Sequence, residues 1–200
     1  MADGRAMEEK IVTVFGSSRP RVGDKDYEEA RALGRALAGP GFAVCSGGYG
    51  GVMEAVSRGA KDAGGKTYGV TAEFFKREAN EWIDVEVRKK TWQERLFELI
   101  EMGDAYVVCK GGTGTLVELA VVWEMMNKSV MGSKPCVVLG RFWQPILERV
   151  RKVEQGPGSA TGARVWGEAK GNLVHSAERV DEAVEYLAEK MKHRSNHAKK

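Results

Sequence analysis

The sequence predicts a single α/β domain, a Rossmann-like, doubly wound and mostly parallel sheet with helices on both faces. Three observations carry this. Short apolar, β-branched runs alternate with longer amphipathic segments along the 200 residues, the pattern of successive β-α units. Two of those runs end in glycine turns that pass straight into helical patterns, Ser46-Gly47-Gly48-Tyr49-Gly50-Gly51 and Gly111-Gly112-Thr113-Gly114. A chain of this length that is 42% hydrophobic and 30% charged can bury one core of ordinary size.

Residues 1–9 read as a short polar leader. Ile11–Phe15 is a continuous apolar run that stops at Gly16-Ser17-Ser18, a buried first strand entering a small-residue turn. In a doubly wound sheet such turns face ligands, so Ser17 and Ser18 either donate hydroxyls to one or simply turn the chain. After the polar loop Arg19–Lys25, apolar groups at Tyr27, Ala30, Leu33, Ala36 and Leu37 have helical spacing, and Gly39-Pro40-Gly41 stops that helix. Phe42–Cys45 is the second strand. Its glycine turn leads into a helix over Val52–Ala63, Gly64-Gly65 supplies the C-cap, and Lys66–Val70 is the third strand.

Thr71–Lys90 is about twenty residues, long for a connection in a compact domain. It carries Phe74, Phe75 and Trp82 and is expected to cover or complete a site, with Ile83–Val87 alternating as a short strand would. Thr91–Met102 follows as a helix with Leu96, Phe97, Leu99 and Ile100 toward the core. Within it, Arg95 reads on spacing alone as half of a surface ion pair, with Glu98 a natural partner. Further along, Lys134–Leu139 is a strand, Phe142–Val153 a helix and 154–171 a Gly-, Ser- and Pro-rich loop. Leu173-Val174 suggests a short strand, and Ser176 the N-cap of a last helix over Ala177–Met191. Residues 192–200 form a basic tail. Much of the +3 net charge sits at that end, so the body is near neutral and the tail reads as a solvated end, not a nucleic-acid surface.

Other classes are argued against in the same way. No apolar run approaches the ~20 residues needed to span a bilayer, and the leader lacks a signal-peptide core. Cys45, Cys109 and Cys136 are odd in number, lack metal-ligand spacing and lie in or beside apolar runs. They read as buried thiols of a cytoplasmic protein, with neither a metal nor a resident cofactor expected. The first turn lacks G-x-G-x-x-G, no acidic residue closes the second strand, and neither glycine turn contains G-K-[ST], which weighs against NAD binding and ATP hydrolysis.

The chain is organised around Asp104–Lys128. Ala105–Cys109 is a buried strand, Gly111, Gly112 and Gly114 make the turn with Thr113 and Thr115 among them, and an apolar helix follows. Uncovered backbone N–H groups and the positive end of a helix dipole make an anion site, and the usual anion is phosphate. Glu118 lies within the first turns of that helix. A carboxylate there repels phosphate, so its role, if any, concerns another part of the same ligand.

At these residues the chain resembles the Lonely Guy family. Gly111-Gly112-Thr113-Gly114-Thr115-Leu116-Val117-Glu118 is similar to its P-G-G-x-G-T-x-x-E signature, and Gly47-Gly48-Tyr49-Gly50-Gly51-Val52-Met53 to its G-G-G-x-x-G-L-M turn. Gly16-Ser17-Ser18 is similar to its G-S-S, and Glu94-Arg95 resembles its M-x-x-R-K arginine. The likeness spans about residues 10–190, with four motifs in register. It implies a nucleotide-binding domain over 10–191 that hydrolyses the N-glycosidic bond of a nucleoside 5′-monophosphate, AMP or a cytokinin precursor, to free base and ribose 5-phosphate. It implies Arg95 and Glu118 as the catalytic pair. Ser17, Ser18, Gly47, Gly48, Gly50, Gly111, Gly112, Thr113, Gly114 and Thr115 would bind the nucleotide. Glu78 resembles, across a one-residue gap, a ligand-contacting glutamate of the family. An older lysine decarboxylase label finds no lysine here in a recognisable pyridoxal-phosphate setting.

Three departures stand out. Lys110 replaces the signature proline, and either adds a phosphate contact or loosens the turn. Leu96 replaces the lysine after the arginine, and Val122 a threonine of the plant-type members. Val52-Met53-Glu54-Ala55 is closer to a sister branch, the molybdenum-cofactor carrier-like proteins. A non-catalytic nucleotide or molybdenum-cofactor carrier is therefore the alternative reading. The family usually forms homodimers; Trp123, Met125 and Met126 supply either such an interface or the monomer core.

Overall fold

The computed structural model describes residues 9–154 and 172–197. Its strands are β1 (Ile11–Phe15), β2 (Ala43–Ser46), β3 (Thr67–Ala72), β4 (Val85–Lys89), β5 (Ala105–Val108), β6 (Cys136–Leu139) and β7 (His175–Ala177). They form one sheet in the order β4-β3-β2-β1-β5-β6-β7, and every neighbouring pair is parallel. The helices are α1 (Lys25–Ala38), α2 (Val52–Asp62), α3 (Trp92–Met102), α4 (Thr113–Asn127), α5 (Gln144–Glu154) and α6 (Val180–His197). The chain winds outward from β1 to β4, then crosses back to set β5 against the other side of β1. The carboxyl ends of β1 and β5 therefore diverge at a topological switch point, where such sheets hold ligands.

Period-two alternation sends side chains to both faces, and with both faces covered the inner strands β5 and β6 are unbroken buried runs, whereas the edge strand β4, VEVRK, is largely exposed. Val12, Val14, Val44, Val107 and Val137 pack on one face with Leu33 and Leu37 of α1, Val56 of α2 and Leu187 of α6. Phe15, Cys45, Tyr106, Val108 and Val138 pack on the other with Leu99 of α3, Leu119 and Met126 of α4 and Leu147 of α5. On the first face α1 and α2 touch backbone to backbone. A Cβ on Gly34 would lie 2.0 Å from the Val56 carbonyl oxygen, and one on Gly59 would lie 1.9 Å from that of Arg31.

Two sequence expectations change here, at Phe97 and Ser176, and one open alternative is decided. Phe97 is 46% exposed; Arg95, Leu96, Leu99 and Ile100 make the buried stripe of α3, and Phe97 falls off its phase. Ser176 is not an N-cap but the middle of β7, in register with Val138. The entry to α6 is instead held by the Glu182 carboxylate, which accepts from the N–H groups of Glu178 (3.0 Å) and Arg179 (3.3 Å). Trp123 and Met126 are core residues, 9% and 0% exposed, with Met125 packed at the edge of that cluster. The loop expected over 154–171 and the ends of the leader and tail lie outside the described residues, apart from Glu154, which ends α5.

Candidate functional site

A cleft of about 1100 Å³ opens at the carboxyl ends of β1 and β5, lined by residues 16–20 after β1 and 110–115 after β5. The two turns are bound together. The Ser17 N–H donates to the Lys110 carbonyl (3.2 Å), while the Ser17 carbonyl accepts from Val52 N–H at the start of α2 (2.8 Å). Gly51 permits this crossing: its φ is +71°, and a Cβ there would sit 2.4 Å from the Ser17 carbonyl oxygen. On the other side, α4 begins at Gly112-Thr113 with no side-chain cap hydrogen bond and no acidic residue in its first turn. Thr113, Gly114 and Thr115 line the cleft. Uncapped N–H groups and the helix dipole thus meet the open volume, the arrangement that holds a phosphate.

The capping box of α3 sets the next group. Thr91 Oγ1 accepts from Glu94 N–H (3.1 Å) and the Glu94 carboxylate accepts from Thr91 N–H (3.1 Å), which fixes the helix start. Trp92, Arg95 and Leu96, at i, i+3 and i+4, then face the cleft together. Arg95 is not half of a surface ion pair. It is 7% exposed, and Glu98 pairs instead with Lys89 at 2.5 Å. The Arg95 guanidinium donates from Nε to the Val70 carbonyl (2.8 Å) and from Nη2 to the Gly47 carbonyl (3.0 Å). Its centre lies 5.5 Å from the Tyr49 ring and 5.6 Å from the Phe75 ring. Burial lowers its pKa, against the pull of Glu118.

Glu118, one turn into α4, faces the same cleft. Burial pushes its carboxyl up to about 7, although the Arg95 charge opposes the shift. Near neutral pH it is thus a mixture of acid and carboxylate. No hydrogen bond from another described residue orients it, and its coupling to Arg95 is through space.

Of the residues singled out from the sequence, Ser17, Ser18, Arg95, Gly111, Gly112, Thr113, Gly114, Thr115 and Glu118 share this cleft. Gly47, Gly48 and Gly50 do not line it. Gly47 lies under Arg95, and the Gly48 carbonyl accepts from Asn80 N–H (2.8 Å) and Asn80 Nδ2 (3.0 Å). From that turn and the helix after it, Tyr49 and Met53 reach the cleft instead. Glu78 also lies outside the lining; its side chain is 88% exposed and pairs with Arg88 at 3.1 Å. Lys110 lines the cleft and meets Asp26 at 2.8 Å.

Sequence reasoning missed Asp26, Phe75, Arg77, Trp92 and Phe142 as lining residues. The length and aromatic content of 71–90 was the available signal for Phe75. That residue ends a 3-10 turn over Glu73–Phe75 and packs edge-on against Tyr49 at 5.6 Å. Phe142 is placed by its neighbour Trp143, whose Nε1 donates to the Cys109 carbonyl (3.0 Å). Among the described residues no group of three or more His, Cys, Asp or Glu could hold a metal ion, and burial pushes all three cysteine thiols up to about 12. No helix among them is long and apolar enough to cross a membrane.

Comparison with known proteins places this geometry. A cytokinin riboside 5′-monophosphate phosphoribohydrolase of Rhodococcoides fascians is 31% identical over 149 residues, 70% of this chain and 74% of that protein. The enzyme of the same name from Mycobacterium tuberculosis is 35% identical over 115 residues, 56% of this chain and 61% of that protein. Among solved structures, the molybdenum cofactor binding protein of Rippkaea orientalis superimposes with a TM-score of 0.72 at 22% identity, covering 93% of this chain and 99% of that one. The molybdenum cofactor carrier protein of Chlamydomonas reinhardtii gives 0.72 at 23% identity, covering 92% and 99%. At these identities the structural likeness establishes the fold alone. Residues 9–156, which hold both glycine turns, Arg95 and Glu118, match the SLOG cluster4 family; this chain belongs to that family, as a protein similar to the Lonely Guy phosphoribohydrolases built on the fold of the molybdenum-cofactor carriers.

Proposed function

We propose that the cleft binds a phosphorylated, nucleotide-like ligand and that the protein holds this ligand as a carrier or sensor. The single observation behind this is the open start of α4, where Gly112 to Thr115 bring uncapped backbone N–H groups to the switch point of the sheet. The aromatic lining at Tyr49, Phe75, Trp92 and Phe142 suits a planar ring on the same ligand. A mononucleotide and a pterin-type cofactor with a terminal phosphate both have this form, and the molybdenum cofactor is the cargo named for the fold relatives.

Binding requires the cradle only. Hydrolysis of an N-glycosidic bond requires in addition an oriented, ionised carboxylate against the positive charge that builds on the ribose. No described residue donates a hydrogen bond that would orient Glu118, and burial favours its neutral form. A phosphate dianion in the cradle would raise its proton affinity further.

A second reading, phosphoribohydrolase activity on a nucleoside 5′-monophosphate, has one observation in its favour. An acid that titrates near neutrality is what glycosidic cleavage uses to protonate a leaving group, and Glu118 has that property beside a buried Arg95. The named activity of the sequence relatives agrees with it.

Denaturing the purified protein and identifying any released small molecule by mass spectrometry tests the binding reading. Release of a nucleotide or a phosphorylated pterin supports it. Absence of both, together with no heat of binding for AMP or inorganic phosphate, contradicts it.

We further expect a cytoplasmic homodimer. Helix α4 is apolar around its circumference: Leu119, Val122, Trp123 and Met126 fill the core, while Leu116 is exposed and Val117 and Val121 are half-buried. Such surplus apolar surface suits a subunit interface. Sedimentation equilibrium at micromolar concentration checks this; a species of only 21.9 kDa would count against it.

A further inference from the structure

We infer that Lys110 is a specificity-determining residue of the phosphate cradle, held by Asp26 in the free protein and surrendered to a dianionic phosphoryl group on binding. The inference rests on the phosphate-binding reading above.

Lys110 immediately precedes Gly111 in the turn after β5, where the resembling signature carries proline. Its backbone is anchored, because its carbonyl accepts from Ser17 N–H at 3.2 Å. What remains free to move is the side chain. Its Nζ lies 2.8 Å from Asp26 Oδ2, in the first turn of α1, and both residues line the cleft. The pair joins the two banks of the cleft at the point where the cradle begins.

This contact can be exchanged. The two side chains are 56% and 31% exposed, so solvent screens their attraction and the pair is a weak one. A phosphoryl dianion seated on the start of α4 offers more charge and three acceptor oxygens, and charge-assisted hydrogen bonds of that kind are the stronger ones. The turn itself offers backbone N–H groups and the hydroxyls of Ser17, Ser18, Thr113 and Thr115; Arg19, Lys25, Arg77 and Arg95 line the same cleft, and Lys110 is the cation adjoining the first glycine of the turn. The N–H groups and hydroxyls bind any small anion. A mobile ammonium adds preference for the doubly charged one, and Asp26 sets a penalty that a singly charged group does not overcome. The chemical class selected is a phosphomonoester in its dianionic form, in preference to a phosphodiester or a carboxylate.

A double-mutant cycle measured by calorimetry with inorganic phosphate at pH 8 tests this. Asp26→Asn frees the lysine and should tighten binding about threefold, within the range of an exposed pair. Lys110→Ala should weaken binding about fivefold, and Lys110→Arg should retain most of it. The decisive arm is Asp26→Asn in the Lys110→Ala background, which should change nothing. Equal tightening there overturns the inference, because Asp26 would then act by repelling phosphate directly. Wild-type binding left unchanged by Asp26→Asn overturns the role of Lys110 while the cradle stands. Absence of phosphate binding by the wild type overturns the cradle and this inference with it.

Discussion

The turns at 47–51 and 111–115 have near-equivalent sequences and different positions. Both follow a buried strand, both are glycine-rich and both open a helix. The first, after β2, is scaffold: Gly47 and Gly48 are buried and their carbonyls hold Arg95 and Asn80. The second, after β5, borders the cleft with its backbone. Strand order makes the difference. β5 is next to β1 at the point where winding reverses, whereas β2 lies one strand away, flanked by β1 and β3. The glycine turn at the switch point borders the cleft, and the one covered by a neighbouring connection supports it.

The comparison breaks most sharply at Gly47. A Cβ there would lie 1.8 Å from Arg95 Nη2 and 2.6 Å from Met53 Sδ. Gly47→Ala must therefore shift the far ends of the Arg95 and Met53 side chains and break the Nη2 bond to the Gly47 carbonyl. We expect a loss of about 2–4 kcal/mol in stability, read by urea denaturation. An unchanged midpoint would mean that the turn is not the support described.

Next comes Glu118, the carboxyl between these two regions. Its folded pKa of about 7 exceeds the ordinary value of 4.5. The folded state therefore binds the extra proton between these values, and stability falls as pH rises from 4.5 through 7. Glu118→Gln should remove that cost, raising stability by roughly 3 kcal/mol at pH 8 and changing it little at pH 4.5. Thermal melts at the two pH values check the sign; equal effects at both would contradict the raised pKa.

The second turn gives the opposite signature to Gly47. A Cβ on Gly114 meets nothing within 4 Å, so Gly114→Ala should leave the melting temperature within about a degree or two. The added methyl would crowd a ligand seated on that backbone, and affinity for AMP should fall about tenfold, or ~1.4 kcal/mol. Unchanged affinity would move the ligand off the α4 start. The smallest effect is the approximately threefold change at Asp26 described above.

The sequence made the sheet legible because parallel strands buried on both faces are unbroken apolar runs, as Ala105–Val108 is. The glycine turn after β5 was legible because it is local: strand, glycines and helix start are contiguous. What was not legible depends on distant pairing. The scaffold role of Gly47 arises from Arg95, 48 positions away. Ser176 precedes a helical pattern and so reads as a cap, yet pairing with β6 makes it strand. Phe97 illustrates a narrower limit, since one step of helical phase separates a core position from an exposed one. The aromatic lining comes from 49, 75, 92 and 142, in four separate stretches of chain that only the fold brings to one cleft.

The most direct test of the central claim is to incubate the purified protein with AMP and an N6-substituted adenosine monophosphate, and to follow bound nucleotide and free base by chromatography. The account predicts nucleotide that is retained intact by the wild type and by Glu118→Gln alike. Release of free base by the wild type, abolished in Glu118→Gln, would contradict the carrier reading and establish hydrolysis at this cleft.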